Sequence, residues 1–300
     1  MGKTVIITGG GSGFGELAAQ ELARAGHTVH AGIRDTTTRN APAVERASAH
    51  ACEHKVDLRT VELDVNSDVS VAKAVESVLS ESGSIDVVIH NAGRLLVGPA
   101  EAWTPEETAA VLDTNVIGTQ RVNRAVLPHM REREEGLLVW VGSSSTKGGT
   151  PPYLAPYFAA KAAMDAFAVS YAAELARFNI ETSIVVPGVF ARGTDLFAKA
   201  SHPSEPDRMP AYDARYAGVA EHVGSRLAQL SPPDADAAQV AAAIVDVVGM
   251  PHGERPFRIH VDPVDDGSQE VSELADQKRV WFLGRMGLSD LLAPHRPGNR

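Results

Sequence analysis

The chain has 300 residues, of which 44% are hydrophobic, and this is enough to form one large buried core. The formal net charge of −10 argues against nucleic acid as a main partner, and no apolar run approaches the roughly 18 residues that a membrane-spanning helix requires. The single cysteine, Cys52, excludes an intrachain disulfide. Together with the absence of a signal-peptide pattern, it predicts a cytoplasmic protein.

Short β-branched runs alternate with runs of helix formers along the chain. The predicted strands lie near residues 4–8, 28–33, 58–63, 86–90, 137–142, 182–187 and 256–261. The predicted helices lie near residues 14–25, 41–53, 68–81, 105–131, 155–178 and 234–248. This alternation favours an α/β fold, a doubly wound parallel sheet of about seven strands with helices on both faces.

Two regions interrupt the alternation of strands and helices. Residues 190–232 form a long polar insertion, which we expect to be a lid over a substrate site. Residues 263–300 form an extension beyond the last predicted strand. The sequence therefore predicts one Rossmann-type domain over residues 1–262, lid included, followed by a C-terminal extension.

The first predicted strand leads through a glycine-rich turn into a helix. Glycines at such a turn let the backbone approach a pyrophosphate, and the helix N-terminus offers free N–H groups and a positive dipole end. A tight strand-to-helix turn without a ligand is the alternative. The residues of the turn are Thr8, Gly9, Gly10, Gly11, Ser12, Gly13, Phe14 and Gly15.

Tyr157 is the one tyrosine of the chain that has a lysine, Lys161, four residues later. The surrounding sequence is rich in helix formers, and residues i and i+4 of a helix lie on one face. An ammonium beside a phenol favours the phenolate and lowers the pKa of the tyrosine, which makes it usable as a general acid or base. Taken alone, an ordinary surface helix pair is the alternative.

These motifs, with others in a fixed order, resemble the short-chain dehydrogenase/reductase family. Thr-Gly-x-x-x-Gly-x-Gly precedes Tyr-x-x-x-Lys by about 140 residues. Between them, His90–Gly93 resembles the family's Asn-Asn-Ala-Gly, and Asn115 matches the asparagine of its central helix. Ser144 lies thirteen residues before the tyrosine, and Pro187-Gly188 follows the sixth strand. The resemblance covers residues 3–262.

The resemblance implies a role for each of four side chains. Tyr157 would exchange a proton with the substrate oxygen, and Ser144 would hydrogen-bond that oxygen. Lys161 would lower the pKa of the tyrosine and bind the nicotinamide ribose, while Asn115 would hold a water beside the lysine. The neighbouring serines at positions 143 and 145 remain alternatives for the serine role, because successive residues at a strand end point in opposite directions.

Two positions depart from the family pattern. His90 replaces the first asparagine of Asn-Asn-Ala-Gly, and we expect it to be a packed, neutral histidine. After Pro187-Gly188 the family often places a threonine near the nicotinamide amide. Here that place is Arg192, so Thr194 is the candidate for the contact.

The end of the second strand indicates the cofactor. NAD-dependent members usually carry an acid there, whereas this chain has Ile33 followed by Arg34. Because an arginine can hold a 2′-phosphate, the sequence predicts NADP(H), with NAD(H) as the alternative if Arg34 is only a solvated surface residue. Asp64 matches the position that contacts adenine, and a turn cap is its alternative. The predicted cofactor-binding residues are Thr8, Gly9, Gly11, Ser12, Gly13, Phe14, Gly15, Arg34, Asp64, Val65, Asn91, Ala92, Gly93, Tyr157, Lys161, Pro187, Gly188, Val189 and Thr194.

We therefore predict an NADP(H)-dependent oxidoreductase that transfers a hydride between the cofactor and a small-molecule carbonyl or secondary alcohol. The alternatives are an isomerase, epimerase or dehydratase that uses the cofactor transiently, and a dinucleotide-binding sensor. No cluster of histidine, cysteine and acidic residues has metal-ligand spacing, so no metal is expected.

A homodimer or homotetramer is the expected assembly, because the resemblance implies pairing through the helices near 105–131 and 155–178. The second of these helices carries an apolar stripe at helical spacing, part of which must face its own sheet. The stripe consists of Ala160, Ala163, Met164, Phe167 and Tyr171.

Overall fold

A computed structural model describes residues 2–190, 193 and 199–294, and within them seven parallel strands form one sheet. The strands are β1 (Thr4–Thr8), β2 (Thr28–Ile33), β3 (Leu58–Glu62), β4 (Val87–His90), β5 (Gly136–Val141), β6 (Ile180–Pro187) and β7 (Arg258–Val261). Their spatial order is β3-β2-β1-β4-β5-β6-β7, which reverses direction between β1 and β4. This order confirms the predicted doubly wound sheet.

Helices cover both faces of the sheet. They are α1 (Gly13–Arg24), α2 (Ala41–His54), α3 (Asp68–Ser82), α4 (Pro105–Leu112), α5 (Gly118–Arg133), α6 (Ala155–Leu175), α7 (Met209–Tyr216), α8 (Val219–Leu230), α9 (Ala238–Gly249) and α10 (Ser268–Arg285).

The inner strands are buried on both faces, which explains their continuous apolar character, whereas the edge strands β3 and β7 are partly exposed. Successive side chains of a strand point to opposite faces. In β1, Ile6 packs in the layer that contains α3, α5 and α6. Its neighbours Val5 and Ile7 pack in the opposite layer, with α1 and α9. The core therefore lies in two layers, one on each side of the sheet.

Two of the predicted helices begin at capping residues. Ser67 accepts a hydrogen bond from the backbone N–H of Ser70, and Thr104 forms a capping box with Glu107. The helix predicted near residues 234–248 begins later than expected, since α9 starts at Ala238.

The helix predicted near residues 105–131 is interrupted. Its two parts, α4 and α5, are joined by a π-helical segment, Asp113–Ile117. Such segments often accompany functional positions, and this one contains the predicted site residue Asn115.

The lid and the extension contain helices that the sequence analysis did not predict. The lid region includes α7 and α8, and the extension includes α10. Part of the apolar stripe on α6 faces the chain's own sheet, as expected, since Ala160 and Met164 are fully buried against it. Among the helices of the described residues, none has the length and apolar character needed to span a membrane.

Candidate functional site

A cavity of about 1180 Å³ opens at the carboxyl ends of the strands, where the strand order reverses. Ligands of open α/β sheets bind at this place. Its volume exceeds the roughly 300–1,000 Å³ of common small-molecule sites, so it has room for a dinucleotide and a substrate together. Most of the predicted residues line it: Gly9, Gly11, Ser12, Gly13, Phe14, Arg34, Asp64, Val65, Asn91, Ala92, Gly93, Ser144, Tyr157, Lys161, Pro187, Gly188 and Val189.

The glycine turn and the segment after β4 are held together by hydrogen bonds. The Thr8 hydroxyl accepts from the backbone N–H groups of Asn91 and Ala92, both at 3.0 Å. The Asn91 amide donates to the carbonyls of Thr8 and Gly9, at 3.0 and 3.1 Å. Thr8 thus lies behind the cavity wall as a buried support. These bonds explain why the two motifs occur together.

The turn leaves room for a ligand's phosphates close to its backbone. Gly9 has φ +67°, and a Cβ on it would lie 2.9 Å from the Cα of Ala92. Gly15 is buried against the turn, and a Cβ at this position would collide with the Gly9 carbonyl. In the described chain, Ser12 precedes α1 without forming a side-chain capping bond. Its hydroxyl and the first N–H groups of the helix therefore fit a pyrophosphate.

The end of β2 presents Arg34 at the rim of the cavity. Ile33 is buried, whereas Arg34 is exposed. The following loop is fixed, because the Asn40 amide donates to the Arg34 carbonyl at 2.6 Å. Glu62 accepts from the N–H groups of residues 35 and 36, at 2.8 and 2.9 Å. The guanidinium is thus carried on an ordered loop beside the cavity.

Asp64 forms the local turn that the sequence offered as one alternative, and it also lies in the cavity wall. Its carboxylate accepts from the N–H of Asn66 at 3.0 Å, which forms a local turn. The same residue lines the cavity, beside Val65. A structural bond and a wall position are therefore combined in one side chain.

Tyr157 and Lys161 lie on the same inward face of α6, and both are buried. The Lys161 ammonium donates to the carbonyl of Val141 at 2.8 Å. Burial lowers the pKa of Lys161 to about 8. Burial also raises the pKa of Tyr157 above its ordinary value of 10, and a hydrogen bond with Ser143 opposes part of that rise. This differs from the predicted lowering by Lys161, because desolvation of the phenol dominates.

The serine that hydrogen-bonds Tyr157 is Ser143. Its hydroxyl lies 2.7 Å from that of Ser145. Ser144, the position favoured by spacing, is buried and begins a 3₁₀ turn. Its carbonyl accepts a hydrogen bond from the N–H of Gly148 at 2.8 Å. Ser143 is thus the serine that affects the pKa of the phenol, while Ser144 and Ser145 line the same cavity.

Asn115 is fully buried and bonds the backbone of Arg94. Its side-chain oxygen accepts from the Arg94 N–H at 2.9 Å, and its amide donates to the Arg94 carbonyl at 3.2 Å. The asparagine thus fixes the loop after β4. His90, at the end of β4, is buried with a pKa lowered by desolvation to about 4, which confirms the predicted neutral histidine. Thr194 lies outside the described residues.

The sequence analysis missed the contribution of the chain just after β7. Residues Asp262 and Val264–Asp266 line the cavity. The Asp266 carbonyl accepts from the N–H of Gly149 at 3.1 Å, and a Cβ on Gly148 would collide with the Asp266 carboxylate. The paired glycines at 148 and 149 are the sequence signal that could have indicated this close approach.

Comparisons with known proteins identify the family. Residues 3–205 match the family model described as short chain dehydrogenase. The chain is 34% identical over 191 residues to 3-ketodihydrosphingosine reductase of Bacteroides thetaiotaomicron, which covers 64% of this chain and 65% of that protein. It is 34% identical over 256 residues to retinol dehydrogenase 8 of Bos taurus, which covers 82% of this chain and 78% of that protein.

A solved structure gives the same result at the level of the fold. A short-chain dehydrogenase from Streptomyces avermitilis superimposes with a TM-score of 0.73 and 27% sequence identity. The match covers 95% of this chain and 97% of that one. Because residues 3–205 match the family model and the structural likeness extends over 95% of the chain, the chain belongs to the short-chain dehydrogenase family of oxidoreductases.

Proposed function

We propose that this chain is an NADP(H)-dependent oxidoreductase that interconverts a carbonyl and a secondary alcohol, with Tyr157 as the acid/base. The observation that carries the proposal is the burial of Tyr157 and Lys161, with Ser143 beside them, around one cavity that the glycine turn also lines. Bound nicotinamide would supply the hydride, so the chain must supply binding, orientation and a proton.

Two places in the cavity wall, the start of α1 and the residue after β2, support the cofactor assignment. Ser12 and the N-terminus of α1 fit a pyrophosphate. Arg34, on its ordered loop, would pair with a 2′-phosphate through a charge-assisted hydrogen bond. Lys161 would bind ribose hydroxyls, as the family resemblance implies. A carboxylate at position 33, which would repel the phosphate, is replaced by isoleucine.

The protonation states favour carbonyl reduction near neutral pH. Because the pKa of Tyr157 is raised by burial, its phenol is protonated and can donate to a substrate oxygen. Ser143, which bonds the phenol, would orient the same oxygen. Lys161, with a pKa of about 8, still carries a proton at pH 7 and would stabilise the phenolate that forms.

The substrate end of the cavity supports an apolar carbonyl or alcohol. Several segments of the chain, including the C-terminal extension, contribute hydrocarbon side chains to its walls. They are Leu95, Leu154, Phe158, Val189, Phe190, Leu227 and Val264. The relatives named for retinol and for ketodihydrosphingosine support the same class of substrate.

The test is NADPH oxidation with a panel of aliphatic and lipid-like carbonyls, followed by the absorbance of the reduced nicotinamide. We expect net oxidation, greater with NADPH than with NADH. Product formation without net oxidation would indicate an isomerase, epimerase or dehydratase instead, and binding alone would indicate a sensor. Ser143→Ala should lower kcat on the order of 100-fold, whereas Ser144→Ala should retain most activity. The opposite ranking would return the serine role to position 144.

A further inference from the structure

The exposed side of α10 carries a concentration of large apolar side chains. Eleven large hydrophobic side chains are exposed among the described residues, and six of them lie on α10 or at its C-cap. The exposed fraction of each of these six side chains is between 48% and 56%. Such concentrations mark interaction surfaces in soluble proteins. The six are Val271, Leu274, Val280, Trp281, Phe282 and Met286.

The opposite side of α10 is already used to dock the helix on its own domain. Ser268 and Ser272 are almost completely buried. Asp276 accepts from the Arg258 guanidinium at 3.0 Å, and the Arg279 guanidinium lies 4.0 Å from the centroid of the Phe257 ring. These contacts fix the rotation of the helix. The apolar side chains on its other face therefore cannot turn inward.

Three of the six apolar side chains, Val271, Leu274 and Trp281, form a stripe along one face of the helix together with Lys278 and Arg285. Positions 271, 274, 278, 281 and 285 recur at alternating spacings of three and four, the pattern by which two helices pack side by side. Val280 and Met286 lie outside this stripe. At about 1.5 Å per residue, the stripe is about 21 Å long. A partner with a matching helix would cover it.

The charges along the stripe are complementary to those of a second, antiparallel copy. The first half of the exposed face carries Glu270 and Glu273, and the second half carries Lys278 and Arg285. The Arg285 guanidinium lies 5.0 Å from the centroid of the Trp281 ring, so it is held at the stripe. Reversing the direction of one copy brings the acidic half of each against the basic half of the other.

One register satisfies charge and shape together. A two-fold axis between residues 277 and 278 places Glu270 opposite Arg285 of the second copy, and Leu274 opposite Trp281. The same axis places Val271 opposite Gly284, a large side chain against the smallest one. Lys278, nearest the axis, can extend toward the acidic half of the second copy.

We propose that α10 is the contact surface of a homodimer, in which a second copy of the same helix packs antiparallel across a two-fold axis. This places the contact on the extension rather than on the central helices. The extension lies outside the part of the chain that the family model matches.

The first experiment measures the mass of the full chain by sedimentation velocity over the micromolar range. The parent chain should be a dimer, and Leu274→Glu or Trp281→Glu should raise the dissociation constant by about 100-fold or more, because buried aromatic and aliphatic anchors dominate interfaces. Val69→Glu is the matched control, since Val69 is 64% exposed but lies on α3. NADPH oxidation reports that each variant is folded.

The second experiment tests the register by reversing charges. Glu270→Arg and Arg285→Glu should each weaken the homodimer by about tenfold or more, since like charges then meet twice across the axis. Mixing the two variants should restore association, because both cross-axis pairs are again of opposite sign. Combining both substitutions in one chain should restore it as well.

Three results would overturn the proposal. One is a parent chain that remains a monomer, whether or not it binds phospholipid vesicles through this stripe. Another is a dimer that Trp281→Glu leaves unchanged, which would return the contact to the central helices. The third is a pair of charge-reversed variants that associate no better when mixed than alone.

Discussion

At the scale of single residues, burial determines how the groups around the cavity titrate. Tyr157 and Lys161 are both desolvated, and their pKa values move in opposite directions, upward for the phenol and downward for the ammonium. Both shifts favour the neutral form of the group. The chemistry of the site is thus set by its enclosure on α6 as much as by its residue types.

Tyr157→Phe removes the phenolic proton and keeps the ring packed in the wall. We expect kcat to fall by about 10²–10⁴-fold, the usual size of a general acid–base contribution. Cofactor affinity, measured by fluorescence titration with NADPH, should change little. Activity within about threefold of the parent would contradict the acid/base role.

Ile33→Asp combined with Arg34→Ala should reverse the preference for NADPH. The new carboxylate accepts from ribose hydroxyls and repels a 2′-phosphate, and the guanidinium no longer holds it. Losing one charge-assisted contact of about 1.5–3 kcal/mol weakens NADPH binding by roughly 10- to 150-fold. The measurement is the ratio of kcat/KM for NADPH and NADH. A parent that already prefers NADH would contradict our reading of Arg34.

His90→Asn tests the buried histidine. The folded pKa is about 4 against an ordinary value of 6.5, so below pH 6.5 the unfolded state binds a proton that the folded state refuses. The free energy of unfolding therefore falls as the pH drops from 6.5 to 4, by about 3 kcal/mol for this group. The variant should lose less stability over that range in urea titrations. Exposed His222→Asn is the control, and an equal slope in parent and variant would contradict the assignment.

At the scale of elements, the turn after β7 connects parts of the site that are distant in sequence. The Asp262 carboxylate accepts from the N–H groups of residues 264 and 266, both at 3.1 Å, and it lies against Gly188. The Asp266 carbonyl accepts from the N–H of Gly149 in the loop of residues 143–149, which we call the serine loop. Its carboxylate accepts from the N–H of Ser268, at the start of α10. The extension is thereby part of the cavity wall.

Gly148→Ala should disturb the serine loop, because its Cβ would collide with the Asp266 carboxylate. Displacing the loop relative to Tyr157 should lower kcat on the order of 10- to 100-fold, with the KM for NADPH changed much less. Gly149→Ala is the matched control, since its Cβ would lie 4.0 Å from Asp266 and fits without strain. Equal kinetics in the two variants would show that this contact does not position the loop.

At the scale of the whole molecule, an ionic bridge joins α6 to the extension. The Arg258 guanidinium of β7 bonds Asp165 of α6, at 2.5 Å, and Asp276 of α10, at 3.0 Å. Arg258 and Asp165 are nearly fully buried. Asp165 follows Lys161 by one helical turn, so the bridge attaches to α6 close to Tyr157 and Lys161.

We expect the first half of α10 to open together with α6 rather than to fray separately. Arg258→Met removes the bridge and leaves Asp165 buried and unpaired, which should cost about 3–5 kcal/mol. Hydrogen exchange followed by mass spectrometry should then show faster exchange in α10 than in the parent. Arg177→Met, which breaks the exposed pair with Asp290, is the control. Unchanged exchange in α10 would show that the bridge does not couple the two elements.

The sequence by itself determined the fold class and most of the cavity wall. Glycine spacing, strand periodicity and the pairing of Tyr157 with Lys161 are local patterns, and local patterns are readable along the chain. The parallel sheet follows from the alternation, because strands joined through helices bury both faces. The positions at Arg34, Asp64 and Gly188 followed from these patterns once the strand ends were located.

Tertiary structure decided what depends on direction and distance. Which of the three serines after β5 affects the phenol depends on the path of the chain there, because adjacent side chains point to opposite sides, and the serine that affects the pKa of Tyr157 is Ser143. The positions of the helices in the lid and the extension depend on contacts with distant elements, since Tyr212 of α7 donates to Glu101 and Arg258 of β7 donates to Asp276 of α10. The paired glycines at 148 and 149 do not show which residue approaches them, because Asp266 reaches Gly149 only when 117 residues of chain fold back onto it.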